Sequence, residues 1–396
     1  MKLSDFKLLI KEAIEESIQE SLVSGFKVTS LEDFVDNEIT EGSEDMLGAK
    51  TSKLSPDELS SYIKRSSVKG ADKYKSNTYR SDKMNMPFIH PSNVKIKDEK
   101  DRPYDLEKLK SAIKERPKVL LKKNDKMGKS GGESSVFFDL GLPALKGLAV
   151  NEKTDEFVVV DTCPGAGACK AYCYAKKGGY VQFPAANMSQ TKRLNFLLND
   201  PAGFKSLLLS ELRSITKKFG KSGSKIVVRW HDAGDFFSPE YLKLAYSVAK
   251  EFPNVDFYAY TKMAGVAMGD KPDNFKMNFS MGATPEQEKQ VDLSKTKHST
   301  VVPKQMFQKY MVTDERGKYV KDEDGRIQFK SEKDLQDFKN ALAVKHKIKP
   351  DSVITYSELM DTPPSTEKKW NVIVRAGDGD DAANRGDVLG TYLLIH

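Results

Sequence analysis

The pattern of apolar and polar positions splits the chain into an N-terminal third with little regular alternation and a longer region where strand-like and helix-like runs take turns. Near the start, Leu3, Phe6, Ile10, Ala13, Ile14, Ile18 and Leu22 recur at helical spacing. They predict an amphipathic helix over residues 3–22, ended by Gly25. Residues 36–53 are acidic and poor in bulky apolar groups, which reads as a linker. Ser55, Pro56 and Glu58 carry the capping signature of a short helix. Residues 66–103 are polar and irregular, and a charged helix is predicted over 105–115.

From residue 136 the rhythm changes. Phe157 to Val160, Ile226 to Trp230, Val255 to Tyr260 and Met277 to Met281 are apolar runs of strand length, and Val301 and Val302 form the core of a last one. Helical patterns lie between them at 184–198 and 202–218. A further helix starts with Ser238 as cap and Pro239 at its first position, with Leu242, Ala245, Val248 and Ala249 on its apolar stripe. Strands alternating with helices predict an α/β fold. The sheet is parallel, either open or curled into a partial (β/α) barrel, behind a helical and irregular N-terminal extension. The expected divisions are 1–50, helix and acidic linker; 51–135, a basic segment; 136–304, the α/β core; 305–350, a charged insertion; and 351–396, a C-terminal segment packing back on the core.

The net charge of +7 is spread unevenly, with acid gathered in residues 1–50 and base in 51–135. The basic segment is a candidate for weak nucleic-acid contact. Its lysines lack the interleaved aromatics of a base-stacking surface, and a solvated lysine-rich face is the plainer reading. The N-terminal helix is a candidate docking element for a protein partner, or packs on its own core. No apolar run is long enough to cross a bilayer, and charges interrupt the N-terminal apolar positions. The expectation is a cytoplasmic protein without membrane contact.

All three cysteines fall between residues 163 and 173, an odd number that rules out a disulfide scaffold. Cys163, Cys169 and Cys173 are separated by five and then three residues. Gly165 and Gly167 are expected to let the backbone wrap and aim amides at sulfur. Three thiolates point to a metal centre. An iron–sulfur cluster of the 4Fe-4S kind with one open iron is the first reading, zinc with His231 as fourth ligand the second, and unmetallated thiols the third. In parallel α/β folds, chemistry gathers at the carboxyl ends of strands. The cysteines, His231, Asp235, Lys262 and Gly282 all follow predicted strands. His231 is a candidate general acid–base or a histidine simply hydrogen-bonded at a strand end. Lys262 is a candidate partner for a carboxylate or phosphate, or one half of a salt bridge. Gly128-Lys129-Ser130 and Gly220-Lys221-Ser222 lack the earlier glycine of a phosphate loop.

CPGAGACKAYCYA, followed by RWHDAGDFFSPEY and FYAYTK, resembles the phage and actinobacterial gene-product-88 family over residues 140–302, with an echo in DDAANRGDVLGTYLLIH. The resemblance implies a phage-type protein of the host cytoplasm and no defined reaction. The same segment more loosely resembles radical S-adenosylmethionine enzymes, with wider spacing between its cysteines. That likeness implies cysteines following the first strand of a partial barrel and S-adenosylmethionine beside the cluster. It makes Tyr172 an aromatic neighbour of the cofactor, and Gly234 and Asp235 the turn that meets the cofactor's amine. His231, Asp235 and Lys262 would then be the catalytic candidates, acting on an unknown substrate. A metal-stapled structural or nucleic-acid-binding protein is the alternative.

Overall fold

A computed structural model describes residues 47–55, 64–65, 79–80, 106–123, 135–176, 180, 184–320, 328–375 and 379–394. The predicted helices at 3–22 and after Ser55 lie outside these residues.

The main sheet has nine strands. In chain order they are β2 (Lys122–Lys123), β3 (Ser135–Leu140), β6 (Lys225–Trp230), β7 (Val255–Thr261), β8 (Phe275–Ser280), β9 (His298–Val302), β10 (Val353–Thr355), β11 (Trp370–Arg375) and β12 (Val388–Leu394). Their spatial order is β10-β11-β12-β9-β8-β7-β6-β3-β2. Every neighbouring pair is parallel except the antiparallel edge pair β2–β3. The two edges do not pair, so the sheet is open and not a closed barrel.

The chain winds steadily from β3 through β9, then jumps to the far edge and returns. Its last strand slots between β9 and β11, so the C-terminal apolar run is a central strand and not a cover on the core. Residues such as Val372, Val374 and Tyr392 are fully buried there. Of the predicted charged insertion, Glu332–His346 is a helix capped by Ser331, whose Oγ accepts from Asp334 N–H at 3.1 Å.

One sheet face packs against α3 (Pro184–Asn199), α4 (Pro201–Phe219) and α5 (Pro239–Glu251), with Trp230, Phe257, Phe275, Leu208 and Tyr241 at its centre. Sequence punctuation sets these helices. Asp200 caps α4 by accepting from Gly203 N–H at 2.8 Å, and Pro201 stands at its first position. Ser238 caps α5 in the same way through Tyr241 N–H.

A second sheet is antiparallel: β1 (Thr51–Lys53), β5 (Glu156–Asp161) and β4 (Lys146–Asn151), in the order β1-β5-β4. α1 (Leu106–Lys114) covers it through Leu109 and Ile113. Two expectations change here. Thr51–Lys53, inside the predicted linker, is a strand. The run Phe157–Val160 belongs to this small sheet and not to the parallel one, so the cysteine loop rises from a hairpin beside the main sheet.

Candidate functional site

The cysteine loop leaves β5 and folds over the carboxyl ends of the main sheet. Gly167 and Cys169 N–H both donate to Gly282 O, at 3.1 and 3.0 Å, and Thr284 N–H donates to Gly165 O at 2.9 Å. A Cβ on Gly165 would stand 2.5 Å from Lys262 O, and one on Gly167 would stand 2.0 Å from Ala283 O. Glycine is needed here for close backbone approach and not for an unusual φ. The amides of this loop thus serve docking. The amide that reaches sulfur is Leu145 N–H, 3.2 Å from Cys163 Sγ.

The three cysteines are free thiols and share a pocket with Ala144, Leu145, Ala166, Ala175 and Ala233. Burial pushes the Cys163 thiol far above its ordinary pKa, with the charge of Asp235 adding to the effect. Burial also raises Cys169, opposed by the positive charge of Lys262. Without metal both thiols are neutral, so metal binding must displace their protons. Among the described residues no group of three or more His, Cys, Asp or Glu side chains is arranged to hold a single metal ion. A tetrahedral zinc with bonds of about 2.3 Å draws its thiolates to within about 4 Å of each other. A four-iron cluster takes each thiolate on a separate iron and so accepts a wider set. Cys163, Cys169 and Cys173 are the residues that would hold either group. Tyr172 is the last residue of α2 (Cys169–Tyr172), and its side chain is outside the described set.

Asp235 and Lys262 stand beside the cysteines and are fully engaged. Asp235, 3% exposed, accepts from Phe236 N–H at 2.7 Å with one oxygen and from Lys262 N–H at 2.8 Å with the other. Burial raises its pKa to about 6. It ties the end of β6 to the end of β7. Lys262 Nζ donates to Ser280 O, Ser280 Oγ and Met281 O at 3.0, 2.8 and 2.9 Å, tying β7 to β8. Gly234 has φ 88°, and a Cβ there would lie 2.9 Å from Leu142 Cβ, so it makes the turn that seats Asp235.

His231 has φ 70°, and its ring is buried in the apolar core against Phe236. Its Nε2 meets Tyr241 Oη at 2.7 Å, and that hydroxyl also accepts from Trp230 Nε1–H at 2.9 Å. Tyr241 Oη thus joins the His231 ring to Trp230. Burial lowers the His231 pKa to about 3, which keeps the ring neutral. The ring is hydrogen-bonded at the strand end and joined to the core of α5.

A second polar cluster went unread in the sequence. Asp139 lies one residue before the end of β3, Asp232 follows β6, and Arg193 projects from α3. Tyr180 Oη donates to Asp232 Oδ2 at 2.8 Å, and Arg193 Nη1 donates to Gly141 O at 3.3 Å. Burial and the neighbouring Asp232 push the Asp139 pKa up to about 7. The readable signal was parity: Asp139 interrupts the apolar run of β3 on the face opposite Phe138 and Leu140.

Fold and site together define an open, parallel α/β protein that carries a free-thiol loop over the carboxyl edge of its sheet. The chain belongs to the gene product 88 family, whose profile matches residues 118–352, more than half of it. It is similar to the "Gene 88 protein" of Mycobacterium phage D29, 29% identical over 157 residues, or 38% of this chain and 60% of that protein. The chain thus spans less than two thirds of the length of that relative. No solved structure matches it. No described helix is long and apolar enough to cross a membrane.

Proposed function

We propose that this chain is an iron–sulfur protein in which Cys163, Cys169 and Cys173 hold a four-iron cluster, and that it acts as an enzyme of the radical S-adenosylmethionine type. The observation that carries the reading is the convergence of three free thiols, each on a different turn of one loop, over the carboxyl edge of a parallel sheet. Free thiols also suit a reducing compartment such as a host cytoplasm.

Cys163, Cys169 and Cys173 would hold the cluster, which would supply an electron for S-adenosylmethionine chemistry. The protein's own residues prepare the place. Leu145 N–H holds Cys163 Sγ, and the positive charge of Lys262 opposes the rise that burial imposes on the Cys169 thiol. Asp235 and Lys262 fix the strand ends under the loop. Ala144, Ala166, Ala175 and Ala233 give the partly buried cysteines an apolar wall.

The test is anaerobic purification with iron, sulfide and zinc analysis, and paramagnetic resonance of the reduced protein with and without S-adenosylmethionine. The expected result is about four irons and four sulfides per chain, a spectrum changed by the cofactor, and loss of the cluster in Cys169→Ala. Stoichiometric zinc without sulfide would overturn the reading and leave the loop as a structural staple. A cluster whose spectrum ignores S-adenosylmethionine would keep the metal and remove the cofactor.

A further inference from the structure

The hydrogen bonds of Arg193 do not close. Its side chain is 3% exposed, and only Nη1 has a partner, the Gly141 carbonyl. Nε and Nη2 are buried and have none among the described residues. These two N–H groups form the side-on edge of a guanidinium, a pair of parallel donors that matches two oxygens of a carboxylate or phosphate. A buried guanidinium edge left empty is costly to a fold, so it calls for a partner.

The surroundings say what kind. Asp139 and Asp232 both lie within electrostatic reach of Arg193, yet neither closes an ion pair with it. Each also leaves one buried oxygen, Oδ1, without a hydrogen bond. Lys122 and Arg229 bring two more positive charges to the same carboxyls. Burial favours a neutral Asp139, its pKa standing at about 7. Arg193, Lys122 and Arg229 thus meet three carboxyls, Asp139, Asp232 and Glu211, and burial holds Asp139 part-protonated near neutral pH, so the anions fall short of matching the cations. Burial lowers the pKa of Lys122, and the charge of Arg193 adds to the effect against the pull of Asp139 and Asp232.

The chain also keeps room for this arrangement: a Cβ on Gly141 would stand 1.8 Å from Asp232 Oδ1. The cluster reaches the surface through half-buried Tyr180 and Asp232 and exposed Lys122. The ring of Tyr180 meets that of Tyr174, the residue after Cys173, at 5.7 Å, so the cluster borders the cysteine loop.

We propose that this nest is an oxyanion-binding site, in which a phosphate or carboxylate group of a ligand lies side-on against Nε and Nη2 of Arg193, between Asp139 and Lys122. The argument rests on Arg193 and its neighbours and stands whether or not the cysteines hold metal.

The test is isothermal titration of the full chain at constant ionic strength, with inorganic phosphate and acetate as probes. Binding of phosphate alone marks a phosphorylated ligand, and binding of acetate alone marks a carboxylate ligand. Arg193→Lys keeps the charge and loses the fork, and is expected to weaken binding by about tenfold or more at an unchanged melting temperature. If that variant unfolds, Lys122→Gln at the exposed edge gives the second reading, a severalfold loss with a shallower salt dependence. The proposal is overturned if neither probe binds at millimolar concentration. It is equally overturned if a folded Arg193→Lys, or in its place Lys122→Gln, binds as tightly as the parent.

Discussion

Two sets of buried charge sit a strand apart on the same edge of this sheet, and they are built oppositely. Around Asp235 and Lys262 every oxygen and every ammonium hydrogen has a partner, and the partners are mostly backbone groups at neighbouring strand ends. Around Asp139, Asp232 and Arg193 four buried polar atoms have none among the described residues. The first set joins β6, β7 and β8 and holds the floor under the cysteine loop. The second makes only single links, Tyr180 to Asp232 and Arg193 to Gly141 O, and leaves the rest of its polar atoms over. A closed polar network makes a fold more specific, whereas an open one is destabilising until something binds. The contrast separates charges that build the platform from charges that wait on it.

The largest effect is expected at the closed set. Asp235→Ala leaves Phe236 and Lys262 N–H buried without an acceptor and should cost about 3 kcal/mol in urea unfolding. Asp139→Ala, at a similarly buried position, should cost less than half as much, because it removes a carboxyl that burial and Asp232 already disfavour. Equal losses from the two variants would erase the distinction.

Lys262→Met comes next. It keeps most of the side-chain stem and strands the Ser280 and Met281 carbonyls, for an expected loss of about 2 kcal/mol. It also removes the positive charge that opposes the rise of the Cys169 pKa. Alkylation of Cys169 in the metal-free protein should therefore slow several-fold at pH 8, since the thiolate is the reactive form. An unchanged alkylation rate would mean that Lys262 serves the strands alone.

The sequence announced the closed set and concealed the open one, and the reason is physical. Asp235 and Lys262 follow apolar runs whose strand character is plain, in stretches where Gly234 and Pro239 mark turns and helix starts. The helices expected at 184–198 and 202–218 are α3 and α4 with ends moved by one residue, because Pro184 and the Asp200–Pro201 pair punctuate them. The cysteines needed only counting. Asp139 and Arg193 sit inside a strand and a helix and become neighbours only through tertiary packing, which no local pattern records. The same limit hid the small sheet. Thr51–Lys53 has three residues and no alternation, and it becomes a strand by pairing with β5 far along the chain. It also hid the place of β12, whose apolar composition marks burial but not which strands flank it.

The finest discrimination between the two sets comes from pH. The Asp139 pKa is raised from 3.8 in the unfolded chain to about 7 in the folded one. A carboxyl shifted upward stabilises the fold fully below its unfolded pKa and loses that contribution as pH climbs through the folded value. The stability of the parent should therefore fall between about pH 4 and pH 7. In Asp139→Asn the position cannot ionise, so this part of the fall should vanish. At pH 8 the variant should gain about 2 kcal/mol on the parent, relative to their difference at pH 4. That is half the nominal value for an isolated group, because Asp139 titrates beside the charge of Asp232. Asp235, with its pKa near 6 in the fold, adds a slope of the same sign that the variant retains. Urea unfolding of both proteins across this range separates the two contributions. Parallel curves would place a full charge on Asp139 throughout. The open set would then be an ionised cluster like its neighbour, and the difference between the two would rest on Arg193 alone.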